Sequence, residues 1–476
     1  MYKIASLLCC LASLTQAQTA TFTGQIKNAA ADSIFLSHYD MLLNEEIFEG
    51  APVDPSGKFK LIFSPKANTR YQFEHGGEVT DVWIEAGDSL HLMLDFKQFD
   101  ESLTYSGTSA PFNNYLAAYY LKFLDHEDTE LNLRMAFQFK IQKLDPWPFM
   151  AWVDSVTQAQ LTFLASWQES LPARLYTLES GKITFNAYYQ KIMYKPLRGF
   201  FAQQSKKNKE PNYPVNLEDF LLEAPLNRDE LVSIDNYLMT CHWKILRIVS
   251  DVYPAEAAKP SRDFGLKYLQ VVDSLSSRTV AHHLGKYWLT TGLERSGVED
   301  YEAALQKYLN SDAPESLKNE LNQTYSKALS FKVGAPAFDF ELVDLNGKKV
   351  RLSSLKGKYV YLDFWASWCG PCLAELQYMR KNNLKAPDSN FVFVYISLDE
   401  AEETWRKSAA KHLPTATHLW GKGMNTEVAK AYGINGLPSY FLIAPDGGFI
   451  SSDPPRPSSG KLNHYLLGEK RKFESK

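Results

Sequence analysis

The sequence predicts a multidomain chain: an N-terminal all-β sandwich, a middle α-helical domain and a C-terminal α/β domain. Three observations predict it. At 476 residues the chain is about three times the ~150 residues typical of one domain. Apolar residues alternate over short stretches up to about residue 107, then fall into helical spacing to about residue 332. From Gly334 onward, strand-like runs alternate with helix-like ones. The implied boundaries are 18–108, 109–332 and 333–476, after a leader at 1–17.

Composition narrows the function. Apolar residues are 45% and charged residues 22%, close to soluble globular averages, which argues against wholesale disorder, fibrous repeats and a multi-span membrane protein. The balance of 51 basic against 55 acidic residues, without long runs of either sign, excludes a phosphate-tracking nucleic-acid binder and a polybasic membrane patch. Five cysteines are too few for a disulfide-dense scaffold.

Residues 1–17 read as a secretory signal: Lys3, an apolar stretch from Ile4 to Leu14 too short to span a bilayer, then Thr15-Gln16-Ala17. Cleavage after Ala17 would remove Cys9 and Cys10. A lipidated cysteine is the alternative, but bulky Leu7 and Leu8 stand where such a cleavage site wants small residues. The mature chain has no apolar run of the ~18 residues needed for a membrane helix, so an exported protein in a potentially oxidising space is expected.

Each domain has its own texture. In the first, Phe22 to Ile26, Ile34 to Leu36, Phe59 to Phe63, Tyr71 to Phe73, Val82 to Ile84 and Leu90 to Leu94 alternate. Asp54-Pro55-Ser56-Gly57, His75-Gly76-Gly77 and Ala86-Gly87-Asp88 punctuate them as turns, predicting a small antiparallel β-sandwich or barrel. In the second, Tyr115, Leu116, Tyr119, Tyr120 and Phe123, and later Leu238, Cys241, Ile245 and Ile248, recur at helical spacing between proline breaks. In the third, strands are expected at Phe338 to Leu342, Val360 to Phe364, Phe391 to Leu398 and Ser439 to Ile443. Helices are expected from Cys372, from Glu402, from Glu427 and after Gly460.

The chemistry is concentrated at Trp368-Cys369-Gly370-Pro371-Cys372, which follows an apolar strand and opens a helix. A disulfide exchanger needs two thiols close enough to close a small ring, with the thiolate of the first stabilised. Free amide N–H groups and the positive end of the helix dipole favour that anion, lowering a thiol pKa of ~8.5 towards ~3.5–7.5. Cys369 is the expected nucleophile, and Cys372, a turn deeper, the resolving thiol. Half a zinc site is the first alternative, but it needs two further ligands, and the remaining thiol of the mature chain, Cys241, is far upstream. A purely structural bridge across so short a loop would stabilise little. No metal and no cofactor is expected.

These residues resemble the thioredoxin superfamily, and within it the exported thiol-disulfide oxidoreductases of the TlpA/ResA type. The resemblance covers about Val333 to Leu467. It rests on Gly334-Ala335-Pro336-Ala337-Phe338, on Leu345 to Lys358, on Asp363-Phe364-Trp365-Ala366-Ser367-Trp368-Cys369-Gly370-Pro371-Cys372 and on Tyr432 to Tyr440. It implies a C-terminal thioredoxin-like fold and a Cys369–Cys372 disulfide. Pro438 would follow a cis peptide bond and face the pair, leaving the backbone beside Leu437 free to join a substrate chain; an ordinary strand proline is the alternative. Asp363 would be the buried acid that takes the Cys372 proton, unless it faces solvent. Glu400, beside Asp399, would be a further acid near the disulfide, or a helix-capping one. Trp365 and Trp368 would flank the thiol, with Gly370 and Pro371, as a surface for docking substrate. The implied partners are protein thiols and disulfides, together with an upstream membrane or periplasmic thiol reductant. One departure is Gln377, where many relatives have a helix-kinking proline. Residues 20–107 resemble, more weakly, the N-terminal parts of multidomain exported proteins of this type.

Cys241-His242 is not a nucleophile–base pair in this reading, because neighbours on a helix point about 100° apart. Two other functions compete: a thiol peroxidase, whose Pro and Thr positions here hold Leu362 and Ala366, and a binding module with an auxiliary redox domain.

Overall fold

The computed structural model describes residues 19–475 apart from 41–44, 67, 125–132, 205–210, 255–261, 297, 299, 414–415 and 435. The leader at 1–17, with Cys9 and Cys10, lies outside the described residues. The chain divides into two compact units, Met1–Glu218 and Asp219–Lys476, and the division falls within the helical stretch 109–332.

Eight strands open the first unit: β1 (Ala20–Lys27), β2 (Ser33–Asp40), β3 (Glu45–Pro52), β4 (Lys58–Phe63), β5 (Arg70–His75), β6 (Glu78–Trp83), β7 (Ser89–Asp95) and β8 (Thr104–Gly107). They form two four-stranded sheets, ordered β4-β1-β7-β8 and β3-β2-β5-β6. The alternation read from sequence is the burial pattern of β1, β4 and β7, whose inward residues share one core with those of the second sheet. At its centre the Phe22 ring meets Phe59 and Phe73 edge-on at 5.2 and 5.9 Å. Gly24 is required beneath Phe59, because a Cβ there would lie 2.2 Å from the ring. One expectation is corrected: the sandwich is not wholly antiparallel, since β1 and β7 pair in parallel. The intervening chain builds the other sheet and returns, a connection long enough for parallel pairing.

After a single turn, α1 (Phe99–Ser102), come α2 (Ala110–Phe123), α3 (Leu133–Lys143), α4 (Pro146–Ala165) and α5 (Ala173–Gln204). Asn113 on α2 accepts from the Trp83 N–H and donates to its carbonyl, both at 2.8 Å. Arg70 of β5 pairs with Glu179 of α5 at 2.6 Å. These contacts complete the polar groups that the sandwich end would otherwise bury unpaired.

The second unit begins with α6 (Asp235–Val252), α7 (Arg262–Asp273), α8 (Arg278–Ser296), α9 (Glu302–Leu309) and α10 (Glu315–Leu329). Cys241 is fully buried in α6 with its sulfur 3.6 Å from the Pro225 carbonyl, while the His242 ring reaches the Tyr268 hydroxyl at 2.9 Å. Burial pushes the Cys241 thiol up to about 12, as expected of an inert core cysteine.

A seven-stranded sheet follows, ordered β10-β9-β13-β12-β11-β14-β15. Its strands are β9 (Glu341–Asp344), β10 (Lys349–Arg351), β11 (Tyr359–Trp365), β12 (Phe391–Ser397), β13 (Thr417–Trp420), β14 (Ser439–Ile443) and β15 (Phe449–Ser451). Helices α11 (Gly370–Lys381), α12 (Glu402–His412), α13 (Glu427–Ala431) and α14 (Leu462–Glu474) complete it. The strand expected at Phe338 starts instead at Glu341, because the turn at Gly347 pairs β9 with β10 as a short hairpin. The four-residue β13 was not predicted. Before the sheet, the Gly334 N–H donates to the Phe449 carbonyl and the Phe449 N–H to the Ala335 carbonyl, both at 2.8 Å. The incoming segment thereby runs along β15.

Candidate active site

Strand β11 is buried along its whole length between two neighbouring strands, parallel β12 and antiparallel β14. Its alternate residues therefore serve two cores. Val360, Leu362 and Phe364 enter one, with Ile396 and Phe441. Tyr361, Asp363 and Trp365 share the opposite face, where Trp365 packs in one cluster with Cys369, Cys372 and Leu376.

The chain leaves β11 through Ala366-Ser367-Trp368 and enters α11. Cys369 caps the helix in an extended conformation, and the Cys372 N–H donates to its sulfur at 3.2 Å. Pro371 suits the first turn because its missing N–H is not needed there. Cys369 and Cys372 are joined as a disulfide, with their Cα atoms 5.3 Å apart. In this oxidised state both are nearly buried, Cys369 at 5% exposure and Cys372 at 1%, while Trp368, Gly370 and Pro371 stand exposed around them. The helix runs on past exposed Gln377 to Lys381 without interruption.

Asp363 lies in the β-ladder directly opposite Tyr395 on one side and Tyr440 on the other. It is 1% exposed, and its Oδ1 finds no hydrogen-bond partner among the described residues. Burial, reinforced by the charge of Glu375, holds its carboxyl well above the usual carboxylate range. Such a group keeps its proton to unusually high pH and, once ionised, is a strong proton acceptor. The solvent-facing alternative for Asp363 is thus excluded.

The Leu437–Pro438 peptide is cis, and Leu437 packs against the cluster that holds both cysteines. Trp368 is 64% exposed. Trp365 requires a correction: it is fully buried, with its ring 5.7 Å from that of His418. It supports the site from below and offers no docking surface, because a strand covered on both faces has no outward side. Glu400 is exposed just beyond β12, with its Cγ 3.2 Å from the place a Gly423 Cβ would take. Among the described residues it has no hydrogen bond to the cysteine pair.

Two residues near the pair were not singled out from sequence. Glu375, one turn after Cys372, is 7% exposed, and its carboxylate accepts from the Ser458 N–H at 2.8 Å and from the Ser458 hydroxyl at 2.7 Å. Its spacing of three from Cys372 was the available signal, since it puts both on one helix face. Asp399 accepts from Ser367, which no local pattern reveals.

Residues 333–450 match the AhpC/TSA family model. The thiol-disulfide oxidoreductase ResA of Bacillus cereus is 32% identical over 145 residues, 30% of this chain and 81% of the relative. ResA of Bacillus subtilis is 33% identical over 148 residues, 30% of this chain and 80% of its own length. The chain belongs to the ResA family of thiol-disulfide oxidoreductases. Among solved structures, the thioredoxin domain of a thiol-disulfide oxidoreductase from Bacteroides vulgatus is 29% identical, covering 29% of this chain and 96% of that one, with a TM-score of 0.26. The AhpC/TSA match lies within the second unit and runs from before β9 into β15.

Proposed function

We propose that the chain is an exported disulfide reductase that acts on other extracytoplasmic proteins through Cys369 and Cys372. The single observation that carries this is the Cys369–Cys372 bond at the start of α11, rimmed by exposed Trp368, Gly370 and Pro371.

In the reaction the reduced Cys369 thiolate attacks a substrate disulfide, forming a mixed disulfide and releasing one substrate thiolate. Cys372 then attacks Cys369, giving up its proton to Asp363 in its ionised form, and the second substrate thiol leaves. The substrate gains two electrons and the cysteine pair loses them. An upstream thiol reductant of the membrane or periplasm returns them. The open backbone beside Leu437 and Pro438, with Trp368, receives the substrate chain by extended pairing. Glu400 is a peripheral acid in this scheme.

Export to the periplasm or cell envelope is supported by Lys3 followed by the apolar stretch Ile4 to Leu14. Among the described residues no helix is long and apolar enough to cross a membrane. The β-sandwich 18–108 and the helical stretch 109–332 then accompany a thioredoxin-like domain at 333–476.

Insulin reduction by the protein lacking residues 1–17, with dithiothreitol as electron source, tests the reading. Activity is expected in the native sequence and not in Cys369→Ala. Full turnover by that variant overturns the assignment, and consumption of peroxide in preference to disulfide favours a peroxidase.

A further inference from the structure

Beyond the cysteine pair and its buried acids, one group joins the loops at the carboxyl ends of three adjacent strands. Asp399, just after β12, is 2% exposed. Its Oδ1 accepts from the Ser367 hydroxyl at 2.6 Å and the Ser367 N–H at 3.1 Å. Its Oδ2 accepts from the same N–H at 3.1 Å and from the Ser397 hydroxyl at 2.7 Å. The Asp399 carbonyl accepts from Trp420 Nε1 at 2.7 Å, and Trp420 stacks on Trp405 with ring centroids 6.1 Å apart. The neighbouring Leu398 N–H donates to the Trp365 carbonyl at 2.8 Å. The ends of β11, β12 and β13 are thus held together through one residue.

Ser367 is the middle of the short turn between Trp365 and the exposed Trp368, two residues before Cys369. The Cys369 N–H closes the same turn on the Ala366 carbonyl at 3.1 Å. A buried carboxylate is a costly way to close a loop, because desolvation opposes it. Among the described residues Asp399 has no ion pair to offset that cost. What it supplies that a neutral side chain cannot is two oxygens able to take the backbone and side-chain donors of Ser367 together with Ser397.

We propose that Asp399 is a positioning residue for disulfide exchange. Through Ser367 it holds the turn that sets Cys369 at the helix start and Trp368 at the rim. This rests on the reading of Cys369 as nucleophile, but its test does not need a protein substrate.

The full chain is compared with its Asp399→Asn and Ser367→Ala variants. The readouts are iodoacetamide alkylation of reduced Cys369 across pH, insulin reduction resolved into kcat and KM, and thermal unfolding. In Asp399→Asn the pH midpoint of alkylation is expected to move down by roughly half a unit, as loss of a nearby negative charge favours the thiolate. Asp363 on β11, Glu375 on α11 and His418 on β13 are unchanged in that variant, as are the exposed Glu400 and Lys422 in the loops after β12 and β13. Both variants are expected to lose about tenfold in kcat/KM, since a displacement of the order of 1 Å at a reacting group costs up to about a hundredfold. Ser367 is only half-buried, so Ser367→Ala folds even where Asp399→Asn does not. A fall in melting temperature with alkylation midpoint and kcat/KM both unmoved overturns the proposal. If the native sequence fails to reduce insulin, the function reading falls, and the alkylation profiles alone decide this one.

Discussion

Glu375 and Asp363 are two buried carboxyl groups, and the charge of Glu375 adds to the burial that keeps the Asp363 proton bound. One sits on the helix that carries the disulfide and the other on the strand beneath it. The Ser458 N–H and hydroxyl fix the position of the Glu375 side chain, and its charge acts on Asp363 from the helix.

Asp363→Asn should raise stability and lower activity together. The folded chain retains the Asp363 proton to higher pH than the unfolded chain, whose carboxyl titrates near 4. Stability therefore falls as pH rises through the window above ~4 towards the raised folded value. The substitution removes that loss, and thermal unfolding at pH 7 should show a higher melting temperature, by roughly 2–4 °C per kcal/mol of penalty relieved. Single-turnover release of the mixed disulfide should slow by about a hundredfold, the contribution typical of a general base.

Glu375→Gln removes the charge while keeping the shape. Asp363 then titrates at lower pH, so the Asp363-dependent limb of the pH–rate profile should move to lower pH. Glu375→Ala also abandons the Ser458 donors and should cost about 1.5–3 kcal/mol in urea unfolding. An unmoved limb in Glu375→Gln would show that the two carboxyls do not communicate in solution.

His418 should make the protein sensitive to acid. Burial lowers its pKa to about 4, against the weaker effect of the Leu413 carbonyl that accepts its Nε2–H at 2.9 Å. Below about 6.5 the unfolded chain takes up a proton that the folded one refuses, so stability is lost progressively from pH 6.5 down to about 4, by about 3 kcal/mol in all. Chemical denaturation at pH 7 and pH 4.5 should show this loss in the native sequence and a smaller one in His418→Gln.

Trp368→Ala should raise KM for insulin several-fold and leave stability within about 0.5 kcal/mol, as exposed side chains generally do. A similar rise for a small disulfide such as oxidised glutathione would argue that Trp368 acts on the cysteines themselves.

Cys372→Ser should accumulate a mixed disulfide through Cys369, visible by mass spectrometry as one substrate chain per protein and reversed by dithiothreitol. Capture through Cys241 instead would contradict the burial and raised pKa of that thiol.

The disulfide was legible from the string Cys369-Gly370-Pro371-Cys372 itself, and the cis proline and the buried Asp363 through the strings that resemble the family. Glu375 was passed over because a glutamate in a helix ordinarily faces water, and nothing local announces Ser458. Trp365 lies beneath the site and not on its rim, because β11 is buried on both faces, which the resemblance to the family does not show. The parallel pairing of β1 with β7 depends on where the chain returns after building another sheet, which turn residues do not encode. The β-sandwich was readable because it has the one-sided alternation that β11 lacks.

The segment Gly334 to Ala337 has a further consequence, through its bonds along β15. It acts as a hem on the sheet, using the donors and acceptors that an outermost strand would otherwise offer to another chain. A fragment cut to begin at Glu341 would keep every residue of the redox site yet strip that hem, exposing a bare edge prone to pairing between copies. Light scattering should find such a fragment self-associating, and one that begins at Val333 monodisperse.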